Sequence, residues 1–248
     1  MTWLDAVAVL VAGTAAGTIN TIVGSGTLIT FPTLLALGYP PVLANVSNTV
    51  GLAPGSLSGA IGYRRELSGQ TARLLRLGVG SLLGGLTGGV LLLALPPQAF
   101  DAIVPALIAL GCVLVAAQPW IAAKVATRHD APAHGSVWVW LGVFTVGIYG
   151  GYFGAAQGIL LVAILGIGLD ETMQRINAAK NVLALLVNAV AAVLFIVVAD
   201  VAWPVALLIG AGSIVGGQIG ARVGRRLPAV VLRVVIVVVG VVAVWQLL

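Results

Sequence analysis

A chain of 248 residues that is 60% hydrophobic and only 8% charged cannot cover a water-facing surface, because a soluble domain carries about a quarter charged residues. Its mean hydropathy of +1.14 makes lipid the expected solvent, and at ~20 apolar residues per span it has room for roughly eight to ten membrane segments and no separate soluble domain. The net charge of +5 falls in short basic stretches between apolar runs, which is the pattern of cytoplasmic loops and not of a nucleic-acid surface.

The first apolar stretch, 3–23, meets Gly24-Ser25-Gly26-Thr27 and resumes over 28–37. After the turn Gly38-Tyr39-Pro40-Pro41 a third stretch, 42–63, ends at Arg64-Arg65-Glu66, and a loop with Arg73 and Arg76 follows. Runs over 77–95 and 102–123 flank the turn Pro96-Pro97; the second contains Cys112, a single thiol that excludes a disulfide framework. Asp5 is the first charge and no basic segment precedes it, so no cleaved signal peptide is expected. Residues 124–136, with Arg128, His129, Asp130 and His134, form the most polar segment; a solvated linker is favoured there over a metal site. The plan then returns. Residues 137–153 meet Gly154-Ala155-Ala156-Gln157-Gly158 and continue to Leu169, Asp170-Glu171 opens a polar turn, and runs over 177–199, 205–221 and 229–248 complete the chain.

The halves also match residue by residue. Over 78–88 and 210–220, six positions are identical at one shift (Gly78, Gly80, Ser81, Gly84, Gly85 and Gly88), and Pro96 and Pro228 fall on the same shift. Asn48 and Asn181 pair within one residue of it, and Gly17 and Gly24 pair with Gly147 and Gly154 at nearly the same spacing. The basic segments 64–76, 124–136 and 222–233 are expected inside, and 38–41, 96–101 and 200–204, which lack basic residues, outside. Equivalent turns of the two halves then lie on opposite sides. The expected fold is an all-α integral membrane protein with two inverted-topology repeats, 1–123 and 137–248, joined by a cytoplasmic linker, 124–136. Each repeat holds three long helices and a glycine-interrupted pair, with both termini outside.

Non-helical backbone at membrane depth survives only within protein or beside a water-filled cavity. A helix restarting after such a break aims free N–H groups and a positive dipole end at that place, which suits an anion. Gly24, Ser25, Gly26 and Thr27, with Gly154, Gln157 and Gly158, are therefore the first candidate binding residues; tight packing by small residues is the competing account. Asn45 and Asn48 share a helical face, as do Asn177 and Asn181, and each pair can donate to an anion or join helices. Lys180, which either snorkels to the surface near Glu171 and Arg175 or supplies the counter-charge, and Asn20 complete the set. The acids Asp5, Asp101, Asp170, Asp200, Glu66 and Glu171 all sit at segment ends, and no Walker-type loop or nucleophile elbow is present, so neither an enzyme nor a resident metal or cofactor is expected.

The segment Gly17-Thr18-Ile19-Asn20-Thr21-Ile22-Val23-Gly24-Ser25-Gly26, with Pro32 and Ala44-Asn45-Val46-Ser47-Asn48-Thr49, resembles the first signature of the TauE/SafE sulfite exporter family. Residues 147–158 with Asn177-Ala178-Ala179-Lys180-Asn181 resemble the second, and the likeness covers nearly the whole chain. The resemblance implies secondary transport of a small sulfur-containing anion, such as sulfite, thiosulfate or an organosulfonate like sulfoacetate, across a prokaryotic inner membrane. The partners it implies are the anion, the bilayer and a coupling proton or sodium ion. Ser25 and Thr27 depart from the usual glycine-rich first loop and bear on which anion is preferred. A passive anion channel is the alternative.

Overall fold

The computed structural model describes residues 1–125, 135–223 and Val238. The linker residues 126–134, with His129, Asp130 and His134, and the last expected run, with Pro228, lie outside the described residues, Val238 excepted. The described elements are the helices α1 (Trp3–Ile22), α2 (Thr27–Ala36), α3 (Pro41–Gly62), α4 (Thr71–Ala94), α5 (Pro97–Val125), α6 (Val137–Tyr152), α7 (Gln157–Gly168), α8 (Met173–Val198) and α9 (Trp203–Val223). Five of these, α1, α4, α5, α8 and α9, are long and apolar enough to cross a membrane. The chain is a multi-pass membrane protein.

The other four helices are the unusual ones. α3 has the length, 22 residues, but carries Asn45, Ser47, Asn48, Thr49, Ser56 and Ser58, all buried. α2, α6 and α7 have 10, 16 and 12 residues. At 1.5 Å per residue the 10 and 12 residues of α2 and α7 reach roughly half to two-thirds of a ~30 Å hydrocarbon core. The chain breaks at both glycine segments, and it stops both preceding helices in the same way. Gly24 N–H donates to Ile19 C=O at 3.0 Å and Gly154 N–H to Tyr149 C=O at 3.1 Å, each spanning five residues back, with φ of +89° and +77°. That left-handed cap is glycine's conformation, because a Cβ would crowd the neighbouring carbonyl.

Helix starts correct the sequence expectation at three places, one being α5, which starts at Pro97, five residues before its run at 102. Arg73 and Arg76 lie on the first turns of α4 and not in a loop, and α8 starts at Met173, four residues before its apolar run. The helices continue into polar sequence because the ends find partners. Arg73 Nη1 lies 3.0 Å from Glu171 Oε1, Arg76 Nη1 donates to Gly135 C=O at 3.1 Å, and Thr172 caps α8.

Packing follows the repeated glycine motif. α1 lies along α9 and α6 along α4; α3 packs on α9 and α8 on α4; α3 and α8 meet between them. In α4 a Cβ at Gly84 or Gly88 would strike the carbonyl oxygens of Phe144 and Ile148 in α6. At the matching positions of α9, a Cβ at Gly216 or Gly220 would strike those of Thr14 and Thr18 in α1. Both copies of the motif thus serve the same close helix contact. The outer faces present Leu83, Leu86 and Val90 of α4 and Val193 and Val197 of α8, exposed apolar side chains that lipid solvates.

At one end of the molecule an ionic latch ties the α3–α4 turn to the α7–α8 turn. Glu171 accepts from Arg73 (3.0 Å) and from Arg175 Nε (2.6 Å), while Arg175 Nη1 also donates to Ser68 C=O at 2.9 Å and Gln70 Nε2 to Arg175 C=O at 3.1 Å. Burial pushes the Glu171 carboxyl up, but the hydrogen bonds and charges of Arg175 and Arg73 outweigh it and hold it below its ordinary 4.5. A carboxyl depressed on folding contributes stability that is complete above the unfolded value and is lost as pH falls through the folded one. Thermal melting should therefore weaken below about pH 4.5, and Glu171→Gln should lower the melting temperature at neutral pH while flattening that acid limb.

Candidate functional site

The two breaks meet. Gly158 N–H, at the start of α7, donates to Gly24 C=O, at the end of α1, across 3.0 Å. A Cβ on either glycine would fall onto the Cα of the other, so only two glycines let these backbones touch. Around this contact the chain leaves polar groups unused. The amides of Ser25, Gly26 and Thr27, before and at the start of α2, and those of Ala155 and Ala156, before α7, have no acceptor among the described residues. The Ser25 hydroxyl and the Gln157 side-chain nitrogen are buried and have no partner among the described residues, nor has Asn45 Oδ1. Buried donors are nearly always satisfied, and each unmade bond costs ~1–3 kcal/mol. Ala156 also holds φ +60°, a left-handed conformation that costs a non-glycine residue ~1–2 kcal/mol. Strain and unused donors together make this contact the candidate binding site.

Lys180 does not snorkel. It is 1% exposed, and its side chain passes beside Gly158 to place Nζ 3.0 Å from the carbonyl oxygens of both Asn20 and Thr21. Asn177 and Asn181 add donors to the same Thr21 carbonyl at 3.4 and 3.3 Å. These three residues of α8 thus cap the C-terminal end of α1, where a cation meets the negative end of the helix dipole. The ammonium has a third proton and no third acceptor among the described residues.

The asparagines of α3 are placed differently. Asn45 Nδ2 donates to Tyr152 C=O at 2.9 Å, at the last residue of α6, and so caps that helix as Asn177 caps α1. Asn48 faces the first turn of α2, donating to Thr27 Oγ1 at 3.3 Å and accepting from the Thr30 hydroxyl. Asn20 lies further along and donates to Ser56 Oγ at 3.3 Å, which Asn188 Nδ2 also reaches at 2.9 Å. Gly24, Ser25, Gly26, Gly158, Asn20 and Lys180 therefore gather about the contact of the two breaks. Thr27 and Asn48 line the start of α2, and Asn45 and Gly154 stand at the end of α6.

Sequence reasoning missed five residues around the two breaks. Thr30 is one turn beyond Thr27 on α2, and that spacing could have shown it facing Asn48. The Tyr149 hydroxyl, which donates to Ala155 C=O and pins the second break, gave no signal. Phe31, Phe100 and Phe153 pack edge to face, with ring centroids 5.1 Å apart for Phe31 and Phe153 and 6.0 Å for Phe100 and Phe153. They cover the breaks on the side towards α5, and single phenylalanines in apolar runs carry no pattern that announces this.

Comparison with known proteins agrees with this architecture. The sequence profile described as "Sulfite exporter TauE/SafE" matches residues 9–247. A probable membrane transporter protein of Sinorhizobium is 27% identical, the match covering 96% of this chain and 90% of that one. One from Haemophilus influenzae is 26% identical over 88% of this chain and 85% of its own length. The probable membrane transporter protein YfcA of Escherichia coli K12 is 27% identical over 86% and 76%.

Proposed function

The chain belongs to the sulfite exporter TauE/SafE family of membrane transporters, and on that premise we propose that it carries a small sulfur-containing anion (sulfite, thiosulfate or an organosulfonate such as sulfoacetate) across the inner membrane by alternating access. The observation that carries this is the meeting of the two breaks, Gly158 N–H on Gly24 C=O, with unused donors on both sides and the buried ammonium of Lys180 alongside. An oxyanion entering there meets the positive ends of two helices and donors from both halves of the chain. The anion gives up its water shell to these groups, and each group left unpaired costs more in that dry surrounding than it would in water.

An inverted-repeat organisation, 1–123 and 137–248, is supported by the exchange of partners between the halves, α1 with α9 as α6 with α4. Rocking one half against the other requires that the latch at Glu171 and the aromatic cluster at Phe31 not be open together. A proton or sodium ion is the proposed coupling partner.

The direct test is flux of labelled sulfite, thiosulfate and sulfoacetate into proteoliposomes. Saturable uptake that responds to an imposed ion gradient is expected; unsaturable conduction indifferent to a gradient would instead identify a passive anion channel. Ser25→Ala and Gln157→Ala are informative here because neither Ser25 Oγ nor Gln157 Nε2 has a partner to lose among the described residues. Each should leave melting temperature nearly unchanged yet weaken anion binding by ~1–3 kcal/mol, about 5- to 150-fold, measured by calorimetry. Topology supplies a separate check. A C-terminal reporter active only in the cytoplasm should stay silent, and an active one contradicts opposite orientation of the halves.

A further inference from the structure

A polar cavity lies away from the breaks, where α3 and α9 end. It encloses about 370 Å³ and is lined by Gly62, Arg64, Arg65, Gln218, Ala221 and Arg222. The three arginines make no ion pair with a carboxylate among the described residues. Two contacts fix its floor. Gln218 Nε2 donates to Ser58 C=O at 2.7 Å and to its hydroxyl at 3.0 Å, and a Cβ on Gly62 would collide with that of Ala221, so the helices touch beneath the arginines.

The same helix pair carries an apolar groove of about 670 Å³, bounded by Val50, Pro54 and Leu57 of α3, Val193 of α8, and Leu207 and Ile214 of α9, among others. Helical spacing joins the two cavities into one track. On α9 the steps Leu207, Gly210, Ile214, Gln218, Arg222 keep to one face; on α3 the steps Val50, Pro54, Leu57, Ile61 do the same and lead to Arg64 in the turn beyond. Leu57 and Ile61 are about half exposed, and so is Ile214. From Gln218 back to Leu207 is about 16 Å of helix, close to the length of a fatty acyl chain.

We infer that this face binds one anionic phospholipid, with its phosphate among Arg64, Arg65 and Arg222 and one acyl chain in the α3–α8–α9 groove. Guanidinium groups pair with phosphate oxygens through two parallel N–H donors, and basic pockets between membrane helices suit acidic headgroups. A free phosphate or a sulfur oxyanion shares the headgroup chemistry but has no use for the groove, whose nearest lining residue on α9, Ile214, is about one helical turn from Gln218.

The test is thermal melting and native mass spectrometry of the full chain in neutral detergent. The additions are phosphatidylglycerol, phosphatidylcholine, chain-free glycerophosphoglycerol, and sodium phosphate or sulfite at matched ionic strength. Phosphatidylglycerol alone should raise the melting temperature, by about 4–8 °C at saturation. Arg222→Gln should reduce its occupancy roughly 5-fold, and Arg64→Gln/Arg65→Gln/Arg222→Gln more than about 100-fold. These side chains are exposed and leave the helix contacts intact. Ala211→Phe, which fills the groove and keeps every arginine, should also lower occupancy. An unchanged phosphatidylglycerol shift in the triple variant overturns the site, and an equal shift from phosphatidylcholine removes the headgroup's role. An equal shift from free phosphate or sulfite, lost in the triple variant, replaces the lipid with a soluble anion.

Discussion

Replacing Lys180 by methionine should reduce sulfur-anion flux at least tenfold while the protein still accumulates and folds. Methionine approximates the aliphatic stem, so the contact beside Gly158 survives and only the ammonium is lost. The Thr21 carbonyl keeps donors from Asn177 and Asn181, leaving the Asn20 carbonyl as the main unpaired group. One unpaired buried acceptor costs ~1–3 kcal/mol, and the returned desolvation penalty of a buried cation offsets part of that. The melting temperature should therefore drop by only a few degrees. Transport has no such compensation, because Lys180 carries the positive charge beside the contact of the breaks, while Arg73, Arg175 and Arg222 lie at helix ends. Lys180→Arg should not restore flux, since a planar fork cannot occupy the same two-carbonyl seat. Near-normal flux with methionine would reduce Lys180 to a cap for α1.

Much of this architecture was legible because lipid imposes simple rules. Apolar runs marked the long helices, and the glycine segments at 24–27 and 154–158 marked the breaks, since exposed backbone is intolerable at that depth. The glycines of 78–88 and 210–220 were legible as one motif occurring twice, and the structure shows what they touch. Helix starts were less legible. Arg73 reads as a loop residue until Glu171, nearly a hundred positions away, is seen to accept it. The candidate site residues stood out by type, but their contacts did not. Asn45, Asn177 and Asn181 looked like anion donors, whereas in this structure their amides cap the ends of α6 and α1. No local pattern distinguishes an asparagine that meets a ligand from one that meets a carbonyl of a helix far off in sequence. The groups left unused, Ser25 Oγ and Gln157 Nε2, emerge only from knowing every neighbour.

Gly24, Gly158 and Gly38 offer a comparison that separates backbone strain from contact between the breaks. Gly38 has φ +84°, yet a Cβ there would meet nothing within 4 Å. Gly38→Ala should cost only the left-handed strain of an L residue, ~1–2 kcal/mol, lowering the melting temperature by roughly 2–8 °C with flux retained. Gly24→Ala adds to the same strain a methyl placed on the Gly158 Cα, where no side chain can move aside. The only relief is to part the breaks and lose the Gly158 N–H to Gly24 C=O bond. A loss above ~4 kcal/mol is expected, beyond the usual range for one substitution, with little protein recovered from the membrane. Gly158→Ala is the decisive member, because Gly158 needs no left-handed conformation. Its Cβ would meet Gly24 Cα and lie 2.9 Å from Lys180 Cδ, so whatever it costs reports on contact alone. Flux should fall to background, and the melting temperature should fall further than in Gly38→Ala. If Gly158→Ala instead melts and transports like Gly38→Ala, the two breaks do not need to touch, and a single anion held between them is no longer tenable.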